Sequence, residues 1–83
     1  NFTGPHSPLD ITRRMEATVR RRVFPNPIDS EQYTPARHAA IRQNYTAMVE
    51  NIDRWLGVYL EEIRRRGEAD STYVVWCSDH GEM

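Results

Sequence analysis

A chain of 83 residues with eleven basic and twelve acidic side chains carries a formal charge of −1, and so lacks the net basic field with which nucleic-acid binders neutralise phosphates. No apolar run approaches the roughly 18 residues that a membrane span needs, and the single cysteine, Cys77, excludes an internal disulfide while leaving the redox compartment open. A core of this size is marginal without metals or a partner, so the isolated chain is expected to be poorly packed and prone to aggregate.

In chain order, residues 1–9 hold one glycine and two prolines, Gly4, Pro5 and Pro8, and read as a loop. Its opening, Asn1-Phe2-Thr3, has the composition of the last turn of a strand. Asp10 to Val23 could form a short arginine-rich helix, which Phe24-Pro25-Asn26-Pro27 ends, and a polar stretch runs on to Tyr33. The clearest element is a helix from Pro35 to Arg66. Thr34 can cap its start, Pro35 at the first helical position forfeits no hydrogen bond, and Gly67 can take the left-handed turn at its end. Ile41, Tyr45, Met48, Ile52, Trp55, Leu56, Tyr59, Leu60 and Ile63 recur at steps of three and four, a stripe that reads as core. Beside it, His38 reads as solvent-exposed, because no acid or cysteine stands at ligand spacing from it. The triplets Arg20-Arg21-Arg22 and Arg64-Arg65-Arg66 read as solvated faces among compensating glutamates. After Glu68-Ala69-Asp70-Ser71, the uncharged run Thr72-Tyr73-Val74-Val75-Trp76-Cys77 predicts a strand buried on both faces, with Cys77 packed as a small hydrophobe. A helix feeding such a strand through a short connection makes the expected fold class α/β.

The predicted strand runs into Ser78-Asp79-His80-Gly81-Glu82. Ligands of α/β sheets bind beyond the carboxyl ends of strands, where adjacent Asp79 and His80 could offer a carboxylate oxygen and an imidazole nitrogen to a cation. Two donors alone do not complete a metal site, and a hydrogen-bonded turn is the plain alternative reading. The sequons Asn1-Phe2-Thr3 and Asn44-Tyr45-Thr46 read as coincidences, the second because it falls inside the predicted helix.

The order of these segments resembles the sulfatase family of the alkaline phosphatase superfamily. The residues that carry the likeness are Tyr45, Asn51-Ile52-Asp53 and Leu56-Gly57 in the long helix, then Ser71-Thr72-Tyr73-Val74-Val75, then Ser78-Asp79-His80-Gly81-Glu82-Met83. Upstream, Gly4-Pro5-His6-Ser7-Pro8 resembles the Pro-His-x-Pro loop of that family. The likeness spans essentially the whole chain and is weakest over Ile11 to Tyr33, a segment that could belong to a specificity pocket. It implies a fragment of an alkaline-phosphatase-like sandwich with a large mixed sheet, residues 1–83 being a partial catalytic domain incomplete at both ends. The opening at Asn1 rather than a methionine, and the end at Glu82-Met83 just after a strand and loop pattern, agree with that expectation.

The implied activity is hydrolysis of a small-molecule or carbohydrate sulfate ester by a formylglycine nucleophile beside a divalent cation, usually calcium. Asp79 and His80 then match a pair of metal ligands, and His6 matches the histidine that contacts the sulfate or assists the leaving group. The nitrogen donor admits manganese or zinc as well. The Cys/Ser-x-Pro-x-Arg segment that yields the nucleophile, the first pair of metal-binding aspartates and the active-site lysine have no counterpart in the sequence, so these residues by themselves are expected to be inactive. Cys77 lacks the Pro-x-Arg continuation and is not the nucleophile. A phosphodiesterase or phosphonate monoester hydrolase of the same superfamily is a competing reading, and a non-catalytic helical interaction module is a third.

Overall fold

The computed structural model describes Phe2, residues 4–25 and residues 32–81. The expected strand remnant at Asn1 and Thr3, the polar residues 26–31 and the loop continuation at Glu82-Met83 lie outside them. Two helices dominate, α1 (Arg13–Val19) and α2 (Pro35–Arg65), followed by a single 3-10 turn at Ala69–Ser71.

Each helix begins on a threonine. The Thr12 hydroxyl accepts a hydrogen bond from the Met15 backbone N–H at 3.2 Å, and the Thr34 hydroxyl accepts one from Arg37 N–H at 3.3 Å, so each satisfies a backbone donor that the helix leaves unpaired. Pro35 occupies the first turn of α2. At the far end Gly67 turns with φ 70°, its N–H donating to Arg64 O at 3.0 Å while Glu68 N–H donates to Ile63 O at 3.1 Å. That pair of bonds is a Schellman cap, and it needs a residue without a Cβ at the left-handed position. Glu61 pairs with Arg64, and Glu62 with Arg65 and Arg66, at 2.6 to 2.8 Å. The arginines stand in the last turn, where cations suit the helix dipole. The hydrogen bond from Arg64 holds the Glu61 carboxyl below its ordinary range, and those from Arg65 and Arg66 do the same for Glu62.

α1 packs on the first half of α2. Val19 and Ala47 are the buried hydrophobic side chains among the described residues, and full burial of a valine is worth about 2 kcal/mol. Arg22 and Glu50 form an ion pair across the two helices. The preceding loop lies along α2 as well. A Cβ on Gly4 would stand 3.4 Å from Met48 Cε and 3.5 Å from Ile52 Cδ1, and the Asn44 amide donates to Leu9 O at 2.9 Å.

Several expectations are corrected. The chain is two helices with no strand or sheet among the described residues, so the α/β class, the buried strand and the large mixed sheet do not hold. Thr72 to Cys77 has an extended backbone at its start, but extension becomes a strand only when a neighbouring chain completes the hydrogen-bond ladder, and no such pairing forms among the described residues. The run is therefore exposed, Tyr73 by 98%, and Cys77 is exposed rather than packed. Trp55, Tyr59 and Leu60 are likewise exposed, so the stripe on α2 is core only where α1 and the loop cover it. His38, expected in solvent, is buried with the Tyr33 ring edge-on to it at 5.6 Å. The first helix is shorter than the 10–23 predicted, because the Thr12 cap fixes its start and the chain leaves it after Val19.

Candidate functional site

Asp79 and His80 sit on a bend at the end of the extended segment, both exposed. Asp79 Oδ1 accepts from the His80 backbone N–H at 3.0 Å, which ties the carboxylate to the turn. The Ser78 hydroxyl donates to His80 O, closing the same bend from the other side. His80 Nδ1 lies 2.9 Å from Gly81 O, a partner that can only accept, so Nδ1 carries the proton. In the neutral ring Nε2 then bears a lone pair, and it lies 3.8 Å from Asp79 Oδ2.

A carboxylate oxygen and an imidazole nitrogen at that separation can both reach one cation, since bonds of roughly 2.0–2.6 Å from each side span it. The donor chemistry therefore fits a divalent metal, with the backbone carbonyl on Nδ1 fixing the tautomer as an outer partner of a ligand histidine does. The set is incomplete. No group of three or more His, Cys, Asp or Glu side chains placed to hold a metal occurs among the described residues.

His6 occupies the loop between Pro5 and Pro8, exposed, with Nδ1 against Ser7 O. Here too the carbonyl can only accept, so Nδ1 carries the proton and donates to it. What joins the two motif-bearing stretches is aromatic. The Phe2 ring stands edge-on to Trp76 at 6.1 Å and tilted to Tyr59 of α2 at 6.3 Å, a contact that the periodicity of α2 does not announce because Phe2 and Trp76 lie outside the helix. A cleft of about 660 Å³ opens between α1 and α2, lined by Thr12, Met15, Thr18, Ala47, Asn51 and Arg54 among others; His6, Asp79 and His80 do not line it. Tyr33-Thr34-Pro35-Ala36-Arg37 has a Pro-x-Arg ending, but a tyrosine stands where a nucleophile precursor needs Cys or Ser, and Thr34-Pro35 serves as the start of α2.

Residues 2–83 match the sulfatase family model, and the matched span contains both the Pro-His loop and the Asp-His pair. The chain thus falls among hydrolases. It belongs to the sulfatase family. Members of that family generally use a divalent metal and a formylglycine. No solved structure matches the chain, and no helix among the described residues is long and apolar enough to cross a membrane.

Proposed function

We propose that this chain serves in the hydrolysis of sulfate esters as one part of a sulfatase catalytic domain, with Asp79 and His80 as ligands of a divalent cation and His6 as a contact of the sulfate or leaving group. The observation that carries the reading is the family match over 2–83 together with the convergence of Asp79 Oδ2 and His80 Nε2. When bound, a cation such as calcium supplies fixed positive charge against the sulfate oxygens, and the formylglycine, which comes from outside these residues, supplies the nucleophilic oxygen.

The chain's own residues have three tasks in this reading. Asp79 brings a carboxylate whose other oxygen is anchored on a backbone N–H, so the donor is oriented before anything binds. His80 holds one tautomer through Gly81 O and presents Nε2. His6, as imidazolium, keeps Nδ1–H on Ser7 O and has Nε2–H to give. As the ester S–O bond breaks, the electron pair stays on the alcohol oxygen, and transfer of the Nε2 proton to that oxygen releases a neutral alcohol and a neutral imidazole. Histidine suits the task because its ordinary titration lies near neutrality. Exposure of both histidines leaves room for a substrate of small-molecule or carbohydrate size.

The test is sulfate release from an aryl sulfate by the full-length protein, wild type against Asp79→Ala, with bound metal quantified in each and an aryl phosphodiester as the second substrate. Loss of metal and turnover together is expected. Retention of both in the variant makes Asp79 a turn residue and removes the metal reading, and turnover of the phosphodiester alone moves the protein to the phosphodiesterases.

A further inference from the structure

We propose that Phe2 and Trp76 are positioning residues: their edge contact, seated on Tyr59, fixes the loop that bears His6 relative to the segment that bears Asp79 and His80. This rests on the reading that Asp79 and His80 hold a divalent cation and that His6 serves the same centre. Neither stretch is held by regular structure. Residues 72–81 lie outside any helix or strand and are exposed, and residues 4–8 are turns and bends. Hydrogen-bond ladders therefore do not set the relation of the two motifs, whereas the rings do.

Phe2 meets Trp76 at 6.1 Å and an interplanar angle of 61°, and Tyr59 at 6.3 Å and 59°. Both geometries fall in the range that the aromatic quadrupole favours. The tethers are short. Trp76 can stand at most about 11 Å along the chain from Asp79, and Phe2 at most about 14 Å from His6. The His6 loop is held on α2 separately on both sides of the histidine, by Gly4 against Met48 and Ile52 and by Leu9 O on the Asn44 amide. Breaking the contact between the Phe2 and Trp76 rings therefore leaves the loop on α2 and frees the segment that bears Asp79 and His80. A purely structural contact would lower stability without changing where His6 stands relative to the cation.

The full chain is titrated with manganese(II) alone, whose unpaired electrons broaden nearby proton signals. In wild type the His80 and His6 ring signals are expected to broaden together. Phe2→Ala and Trp76→Ala should abolish the broadening at His6 and keep it at His80, and Trp76→Phe should restore it. Asp79→Ala should remove both; broadening at His6 that survives it places the ion on His6 itself and overturns the proposal. A silent His6 in wild type beside a broadened His80 overturns the positioning role and leaves the metal reading standing, as does a His6 signal that the alanine variants do not change. Absence of broadening at both His80 and His6 overturns the metal reading and this inference with it. Circular dichroism of each variant reports α2, and loss of its helicity in Phe2→Ala would mark a structural role and likewise overturn the proposal.

Discussion

α2 runs through two different surroundings. Over its first half it is lined by the chain that precedes it: Val19 and Ala47 are buried between the helices, Gly4 closes on Met48 and Ile52, and Asn44 holds Leu9. Over its second half the same apolar stripe continues through Trp55, Tyr59 and Leu60, yet these side chains are exposed, as is the extended run that follows. Period alone does not decide burial. A stripe becomes core where another segment is long enough and apolar enough to lie on it, and here that cover extends from about residue 41 to residue 52. Beyond it, order comes from local devices: the Schellman cap, the glutamate–arginine pairs and one aromatic cluster.

The contrast can be broken most sharply at Val19. Val19→Asp places a carboxylate at a fully buried position and should cost about 3 kcal/mol or more, undocking α1 while α2 persists. Hydrogen exchange should then show lost protection in 13–19, whereas Trp55→Ser on the open half should stay within about 0.5 kcal/mol. Equal losses from both substitutions would erase the distinction. A smaller effect is expected from Asn44→Ala, which removes the bond to Leu9 O and should cost about 1 kcal/mol, seen as a lower urea midpoint.

Acid gives the smallest effect and sharpens the comparison from the other side. Glu61 and Glu62 have carboxyls depressed in the fold by hydrogen bonds from Arg64 and from Arg65 and Arg66. Their contribution is thus present above the ordinary carboxylate range and is lost as pH falls through the depressed values. Arg64 and Arg65 are raised by the same partners and stay charged throughout, so they add no window of their own. Since these groups are exposed, solvent screens the pairs. The expected readout is local fraying near residues 61–66 as pH falls below the ordinary carboxylate range, with α1 and its contacts unchanged. Fraying that spreads to α1 at the same pH would show that the two halves are not separate.

The parts of this fold that were legible in the sequence are those specified by neighbours along the chain. Thr34, Pro35 and Gly67 delimit α2 almost to the residue, because capping, proline geometry and left-handed turns are local chemistry. The parts that were not legible need a partner distant in sequence. Thr72 to Cys77 has β-branched and aromatic composition, which favours an extended backbone but cannot name the strand that would pair with it. Ligand spacing alone puts His38 in solvent, and the Tyr33 ring edge-on to it is a contact no spacing rule contains. For the candidate site, the motifs stood out as motifs. The tautomer of His80 and the role of Phe2 emerged only from geometry, since a carbonyl on Nδ1 and a ring-to-ring approach leave no mark in composition.

The loop that Asn44 and Tyr59 hold at its two ends also acts as a gauge of length. Fully stretched, the chain from Phe2 to Leu9 can span about 25 Å, and the helix from Asn44 to Tyr59 rises about 22 Å. The bends at 4–8 shorten that reach, and Gly4 against Met48 and Ile52 moors the loop between its ends. Surface loops ordinarily tolerate insertion and deletion, but a residue removed between Gly4 and Leu9 would shift one mooring along α2 relative to the other, and His6, which lies between them, would move with it.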